Sequence, residues 1–521
     1  MQISKHLKTP LLLPPLSSLL LILSFPPFNV GFLAWVALLP LLLFIWLYAQ
    51  SWKQAVFAGF LQGLLFFIYM HSYMALSVDF FFHPAMGYLA VFLGALYSAV
   101  FTAVFAFLSY TLCRKPISWL APIAAASAWV LMEYTRSLGL LGHTGGFLGY
   151  SQVPYPFLLQ IVSVYGYWGL SFLMVLFQGL LCFFLPLLLS LPAKNKTPLA
   201  SPLKCSIGPV FFILLCSLGL GVPSLFSVEK ESEPIRFILV QGNIPQEHIL
   251  DADMAPANFQ HYLNLTKEAY SKHGAADLVI WPETVYSTSV ARRYPEPQQA
   301  LARLAGSVET PVFFGGMYYD TNTFESYNSI YLQKPGREQW EPQRYDKIRL
   351  VPIAEYFPSP DLLNRLWDVR INLGLYSPGE EIQVFEVNSF SFGGIICFES
   401  YFPQPALDKV RSGAKQIFVL TNDAWFLDSI GLNQHAAVAA VRAVESGVGV
   451  TQVANTGFTI SFDYTGRMVF QLPAWEEGFG LQETVLPRRT TLYRLWGNYF
   501  PWICLGLLSL ALSYRYYYRN G

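Results

Sequence analysis

Acidic side chains are almost missing from the first 227 residues of this chain, where only Asp79 and Glu133 occur. From Val228 to about Arg494 the charge density is that of an ordinary globular domain. Over all 521 residues the charged fraction is 13%, with 54% hydrophobic residues and zero net charge. A soluble chain carries about 25% charged residues. The deficit therefore implies two solvents, lipid for the first part and water for the second. Zero net charge and the lack of a basic run argue against a nucleic-acid partner, and no internal repeat or low-complexity tract is present.

Crossing a bilayer takes roughly 20 apolar residues. Stretches of that kind fall near 10–25, 31–49, 55–73, 86–112, 117–135, 160–191, 207–227 and 495–513. The first runs through "FPPF" into the second without a small-residue cleavage site, so a span rather than a cleaved signal peptide is expected. Lys5, Lys8, Lys53, Arg114, Lys115, Lys194, Lys196, Lys204, Arg515 and Arg519 flank alternate loops, whereas the other loops carry only Arg136. The bias of basic residues toward the cytoplasm puts both termini there. Three regions follow: a membrane domain over 1–227 with seven transmembrane helices, a water-facing domain over 228–490 outside the cell, and a last span with a short cytoplasmic tail over 491–521.

The outer domain reads as short apolar strands separated by helices. Strands are predicted over 236–243, 277–283, 311–319, 328–333, 392–399, 416–425 and 451–463, and helices around 254–273, 296–306, 402–412 and 432–447. Continuous runs of Val, Ile and Phe suit strands covered on both faces. The alternation predicts a layered α/β sandwich.

Five of the six cysteines (Cys113, Cys182, Cys205, Cys216 and Cys504) lie in or beside apolar runs. Cys397, in "GGIICFES", is alone in the polar domain, on a side of the membrane where disulfides are favoured and it has no partner. Two more polar residues stand where strands run out: Glu283 behind Pro282 in "VIWPE", and Lys347 in "RYDKIRLVP". A thiol needs a base or a nearby positive charge to become a nucleophile. A carboxylate supplies the first, and an ammonium steadies both thiolate and oxyanion. Each residue also has a plainer reading: a strand-end Glu as a capping carboxylate, a lone Lys on the surface, a free Cys as a small buried hydrophobe. Spacing alone does not join the three.

At these residues the chain resembles a known family. "WPET" with Glu283, "YDKIRLVPIAEYFP" with Lys347 and Glu355, and "GGIICFES" with Cys397 resemble the Glu-Lys-Cys signature of the nitrilase, or carbon-nitrogen hydrolase, superfamily. "TNDAWF", "QHAAVAAVRAVESG" and "ANTGFTISFDYTG" continue in the order of one branch, the bacterial apolipoprotein N-acyltransferases, and "SFPPFNVGFLAWVALLPLL" and "LGYSQVPYPFLLQIVSVYGYWGLSFL" resemble that branch's membrane segments. The resemblance implies a polytopic α-helical membrane domain of about eight spans plus an extracytoplasmic α/β nitrilase-like αββα sandwich. It implies acyl transfer in two steps, with Cys397 as nucleophile, Glu283 as general base, Lys347 as oxyanion stabiliser and Glu355 orienting Lys347. Glu399, Phe398 and Asn328 are expected as supporting residues, and Trp425 and Phe426 along the acyl path. Expected partners are a phospholipid acyl donor (phosphatidylethanolamine), a diacylglyceryl lipoprotein acceptor and the bacterial inner membrane. The protein is expected to be a monomer with no metal and no cofactor.

The sequence also departs from the family pattern. Leu250, Ala354, Phe398, Leu427, Val448, Gly449 and Gln452 stand where the family commonly has other residues. These positions read as flanking loops, which touches donor or acceptor preference before thiol chemistry. A membrane-anchored amidase, a paralogue with another acceptor, and a fold retained without catalysis remain alternatives. A metal enzyme is a weaker one, because His248 and His435 lack ligand spacing and read as structural. Asn422 and Asn455 read as turn or strand-end residues. Glu133 and Arg136 fall near the outer end of the fifth span, where ionisable groups belong at the interface, paired with each other or with a headgroup.

Overall fold

The structure is a computed structural model, and it describes residues 10–77, 84–113, 119–188, 202–231, 233–251, 253–285, 296–336, 342–352, 354–356, 376–388 and 390–520. Asp79 and the orienting residues Lys5, Lys8, Arg114, Lys115, Lys194 and Lys196 lie outside the described residues. The chain divides into two compact units, Met1–Phe226 with Thr491–Gly521, and Ser227–Thr490.

The first unit is helical, with long segments α1 (Leu13–Ser24), α2 (Trp52–Met70), α3 (Pro84–Cys113), α4 (Ala121–Arg136), α5 (Val162–Leu188), α6 (Pro202–Gly221) and a later one at Phe500–Asn520. Among the described residues five segments are long and apolar enough to cross a membrane: Gly31–Tyr48, Trp52–Met70, Ala85–Leu112, Val162–Leu185 and Ser206–Leu225. Lipid offers no hydrophobic drive between helices, so close backbone approach must hold them together. α2 provides it with Gly59 and Gly63: a Cβ on Gly63 would meet Thr102 Oγ1 of α3 at 1.9 Å, and one on Gly59 would meet Ala106 Cβ at 2.4 Å.

The stretch expected as one span over 31–49 is broken. It runs as a 3-10 turn at Gly31–Trp35, an α turn at Leu39–Leu43 with Pro40 as its second residue, and a π turn at Phe44–Tyr48. Freed backbone groups at such depth need partners inside the protein. The Gln178 side chain supplies two, accepting from the Leu38 N–H at 2.6 Å and donating to the Ala34 carbonyl at 3.1 Å. Glu133 and Arg136 correct the sequence reading, since both are buried and no ion pair within 4.0 Å joins them. Glu133 Oε1 accepts from Trp129 Nε1 and the Leu148 N–H. The Arg136 guanidinium instead lies over the Phe67 and Phe147 rings, at 4.4 and 4.7 Å.

Among the described residues the second unit has two six-stranded sheets. Its strands are β1 (Val228–Glu229), β2 (Ile235–Gln241), β3 (Leu278–Ile280), β4 (Val312–Tyr319), β5 (Ser326–Gln333), β6 (Gln343–Asp346), β7 (Val384–Val387), β8 (Phe390–Ile396), β9 (Gln416–Thr421), β10 (Gly449–Ala454), β11 (Thr459–Phe462), β12 (Met468–Leu472), β13 (Gly478–Thr484) and β14 (Arg488–Arg489). One sheet has the order β13-β2-β3-β4-β5-β6, the other β12-β11-β10-β9-β8-β7, and β1 pairs with β14 apart from both. The centre of each sheet is parallel, β2-β3-β4 in one and β8-β9-β10 in the other, with antiparallel strands outside.

Alternation along these strands builds the layers. Phe237, Leu239, Ile280, Phe313 and Ile330 of one sheet meet Phe392, Ile396, Phe418, Leu420 and Val453 of the other. The intervening Ile238, Val240, Val279 and Trp281 pack outward with Phe259, Leu263, Leu301 and Leu304 of helices α7 (Ala255–His273) and α8 (Glu296–Ser307). Helices α9 (Pro403–Arg411) and α10 (Ile430–Ser446) pack on the second sheet, against β8, β9 and β10. The result is the expected αββα sandwich. The run 451–463 is two strands rather than one, because Asn455 to Phe458 turn the chain back. The β1–β14 pair and strands β6, β7, β12 and β13 lie outside the predicted set; the last four are the edges of the two sheets, short or partly exposed and with weak apolar patterning.

Candidate active site

Glu283, Lys347 and Cys397 each stand just past the carboxyl end of a strand. β3 ends at Ile280 and Trp281-Pro282 carry the chain to Glu283; β6 ends at Asp346, just before Lys347; β8 ends at Ile396 and Cys397 opens a 3-10 turn, Cys397–Tyr401. Crevices outside the carboxyl ends of parallel strands are the usual ligand sites of α/β sheets. Gly315 of β4 permits the first of these placements: a Cβ there would meet Glu283 Cα at 2.5 Å and the Pro282 carbonyl oxygen at 2.7 Å.

The charged groups converge around Lys347, which is 1% exposed. Its Nζ lies 2.8 Å from Glu355 Oε1 and 3.8 Å from Glu283 Oε1. Asn328 of β5 stands between the carboxylates, its Nδ2 donating to Glu283 Oε1 at 2.7 Å and to Glu355 Oε1 at 3.1 Å. The second Glu283 oxygen accepts from the Asn422 N–H at 2.9 Å, and the second Glu355 oxygen from the Val351 N–H at 2.8 Å. Burial pushes the Glu283 carboxyl above its ordinary range, against the pull of Lys347, Asn328 and the Asn422 amide. Burial pulls the Lys347 ammonium down, but the Glu355 and Glu283 carboxylates outweigh it and hold the pKa above normal.

Cys397 is half-buried, with φ of 45°. A non-glycine residue there is uncommon, and such strain costs about 1–3 kcal/mol. Burial pushes the thiol well above its usual pKa, the Glu283 charge adds to that, and Lys347 opposes it. The resting sulfur is therefore a thiol. A thiol becomes a good nucleophile only when a base removes its proton.

Glu399 is fully buried, two residues past Cys397. Its Oε2 accepts from the Ile396 N–H at 2.9 Å, and its Oε1 from Tyr345 Oη at 2.8 Å and the Ile348 and Arg349 N–H groups at 2.9 and 3.1 Å. One carboxylate thus ties the Cys397 turn to the segment that follows Lys347. Phe398 packs its ring against Phe402 and Tyr401, at 5.2 and 5.9 Å. Trp425 and Phe426 are half-buried on the 3-10 turn Asp423–Phe426, and the Phe426 ring lies 6.0 Å from His435.

His435 is not isolated, contrary to the expectation from spacing. Its Nδ1 is 2.8 Å from Asp423 Oδ1, and its Nε2 lies 2.9 Å from Ser400 Oγ and 3.2 Å from the Cys397 carbonyl oxygen. Ligand atoms of Cys397, Asp423 and His435 lie within 4.8 Å of one another. The contacts of Asp423 and His435 are hydrogen bonds, and Asp423 accepts further from Thr421 Oγ1 and Gln452 Nε2. His248 is exposed on the short helix Gln246–Leu250. Asn422 and Asn455 are buried in a chain of amides linking Gln246, Ile244 and Tyr262 beside the site.

The departures divide between surface and interior. Ala354 is exposed in a turn and Leu427 has φ of 44°, whereas Val448, Gly449 and Gln452 are buried. Gln452 lies on β10 and reaches the buried Asp423, so it belongs to the interior and not to a flanking loop. The Leu250 side chain and residues 357–375 of the loop after Glu355 are outside the described residues.

With this geometry in view, comparison with known proteins identifies both halves of the chain. A family model for the apolipoprotein N-acyltransferase N-terminal domain matches residues 17–180, and one for carbon-nitrogen hydrolases matches 239–492. The apolipoprotein N-acyltransferase of Geobacter metallireducens is 30% identical over 516 residues, covering 97% of this chain and 95% of its own. That of Thermotoga maritima is 30% identical, with 96% and 93% covered. Apolipoprotein N-acyltransferase 1 of Treponema denticola is 27% identical, with 97% and 96% covered.

Proposed function

The chain belongs to the apolipoprotein N-acyltransferases, N-acylating enzymes of the carbon-nitrogen hydrolase superfamily, and we propose that Cys397, Glu283 and Lys347 carry its chemistry. The substrates are a phospholipid, phosphatidylethanolamine, acylated at the glycerol 1-position, and the diacylglyceryl-cysteine at the N-terminus of an apolipoprotein. One observation supports this reading above the others: Glu283 and the half-buried Glu355 form an ion cluster around the buried Lys347, and Glu283 and Lys347 are the charges that act most strongly on the Cys397 thiol.

The chemistry follows from the charges. Glu283 takes the Sγ proton as sulfur attacks the ester carbonyl carbon, and its raised pKa makes it the stronger base. The oxyanion that forms meets the Lys347 ammonium, which Glu355 keeps protonated and in place. Collapse breaks the carbon–oxygen bond, Glu283 returns the proton to the departing alkoxide, and a lysophospholipid leaves a thioester on Cys397. The α-amino group of the lipoprotein then attacks. Glu283 accepts one of its protons and passes it to the departing sulfur, giving ping-pong kinetics. Trp425 and Phe426 line the acyl path, and Glu399, Phe398 and Asn328 hold the groups in register.

Both substrates carry acyl chains in a bilayer, so holding the enzyme in the same bilayer raises their effective concentration. The reading places about eight spans in the bacterial inner membrane, with both termini cytoplasmic, the catalytic unit outside, and the protein acting as a monomer. The test uses purified protein, a phospholipid labelled in its 1-acyl chain and a diacylated cysteinyl lipopeptide, with Cys397→Ala alongside. Label should reach the peptide amine with wild type and stay in the phospholipid with the variant. Label released as free fatty acid would make the enzyme a hydrolase, and transfer by Cys397→Ala would remove Cys397 from the chemistry.

A further inference from the structure

The mechanism above leaves a buried pair unused. Asp423 and His435 are both 0% exposed and lie 2.8 Å apart, directly behind the nucleophile's backbone. Asp423 is anchored at the end of β9 by Thr421 Oγ1 at 2.7 Å and Gln452 Nε2 at 3.3 Å. His435 comes from α10, clamped between the Tyr401 ring, stacked at 5.4 Å, and the Phe426 edge.

Hydrogen-bond chemistry favours the doubly protonated ring. A carboxylate and a carbonyl oxygen only accept. His435 faces one at each nitrogen, Asp423 Oδ1 at Nδ1 and the Cys397 carbonyl at Nε2. A proton on each nitrogen serves both acceptors, and Ser400 Oγ at 2.9 Å from Nε2 can then accept as well; a ring bare at Nε2 would take the Ser400 hydroxyl proton instead and leave the Cys397 carbonyl without a donor from His435. A neutral ring would turn a lone pair on one of the two acceptors.

The carbonyl concerned belongs to the residue held at φ of 45°. Strained backbone persists only when its surroundings over-determine it. The Cys397 turn is gripped before the nucleophile, where Glu399 accepts from the Ile396 N–H, and at the nucleophile, where His435 meets its carbonyl. We propose that His435 is a positioning residue for Cys397: held as an imidazolium by Asp423, it donates to the Cys397 carbonyl and locks the turn that aims the thiol. The proposal rests on the reading of Cys397 as the nucleophile.

The surrounding charges agree. Burial pushes the His435 ring down, and the charge and hydrogen bond of Asp423, the Cys397 carbonyl and the more distant Glu283 outweigh it, so its pKa is raised. The other titratable groups facing the ring are the Cys397 thiol and the Tyr401 phenol. A raised histidine pKa means the clamp is complete below the folded value and is released as pH climbs through it. Releasing it also uncovers the Asp423 charge, which by itself raises the thiol.

The test is alkylation of Cys397 by iodoacetamide in the full-length protein without lipid, mapped by mass spectrometry, from about pH 6 to about pH 11, far enough to follow a raised thiol. Wild type should show two inflections, one for the imidazolium and one for the thiol. His435→Gln should alkylate at least about tenfold more slowly at neutral pH and show a single inflection, because an amide does not titrate. Asp423→Asn keeps the ring but removes the charge that holds its proton, and should move the first inflection down by about one unit or more. Should His435→Gln fail to fold, Asp423→Asn decides alone. Wild-type rates and profile in the variants, or slowed alkylation with an unmoved first inflection in Asp423→Asn, would overturn the proposal. Protein that shows both inflections yet transfers no acyl chain to a lipopeptide would instead count against the acyltransfer roles, so the two readings fail separately.

Discussion

Asn328→Ala probes the candidate base without touching its carboxyl group. Asn328 Nδ2 donates to Glu283 Oε1 at 2.7 Å, shorter than the other bond to that carboxylate, from the Asn422 N–H at 2.9 Å. Hydrogen bonds to a charged group contribute about 1.5–3 kcal/mol, and 1.36 kcal/mol is one pKa unit, so losing this bond should raise Glu283 by about 1–2 units. Burial has already pushed that pKa up, and Asn328 is among the groups that restrain it. The acid limb of the kcat/KM profile for acyl transfer, which reports the free enzyme's base, should therefore move to higher pH by about 1–2 units with its plateau largely kept. Stability gives a second readout of the same sign. A carboxyl whose folded pKa lies above its unfolded value stabilises the fold at low pH relative to high pH, and that advantage is lost as pH rises from the unfolded value through the folded one. Urea midpoints of Asn328→Ala and wild type should therefore separate further at neutral pH than in mild acid. An acid limb that stays in place or moves down would refute Glu283 as the base whose charge Asn328 holds.

Two further substitutions test how Cys397 and Glu283 are placed. Glu399→Gln turns an acceptor of four hydrogen bonds into a group whose amide must face at least one donor; a loss of about 3 kcal/mol in chemical denaturation is expected, with slow alkylation of Cys397 even where the variant is folded. An unchanged denaturation midpoint would show that the carboxylate does not join the two loops. Gly315→Ala puts a Cβ 2.5 Å from Glu283 Cα, backbone that cannot rotate away; about 1–3 kcal/mol of stability should be lost, and kcat/KM should fall more than for an alanine placed at exposed Gly306. Equal kcat/KM in the two variants would mean that Glu283 tolerates displacement.

How much of the site was legible depended on how each residue is held. Glu283 and Cys397 stood out because each follows a run of Val and Ile, and Lys347 because it lies in a charged, turn-rich segment. Asn328 was expected as a supporting residue, but its particular contacts depend on β5 pairing between β4 and β6 so that one amide spans two carboxylates. His435 looked like part of an Ala/Val helix face, and only the packing of α10 sets its ring behind Cys397, while Asp423 comes from another strand end. Gln452 read as a loop change for the same reason: its partner Asp423 is 29 residues away in sequence. The "GG" in β4 was a signal that passed unused, since paired glycines in a strand often mark close backbone approach.

By itself the sequence determined the two solvents, the alternation of strand and helix that makes a layered sandwich, and which residues end the strands. Those properties are local, set by side-chain period and by the cost of burying charge. Tertiary structure alone decided that strand ends far apart in the chain meet, that Glu133 and Arg136 are buried without an ion pair between them, and that Cys397 is strained and its turn held from both sides. These are long-range facts. Their free energy comes from contacts between segments whose separation in sequence carries no record of their distance in space.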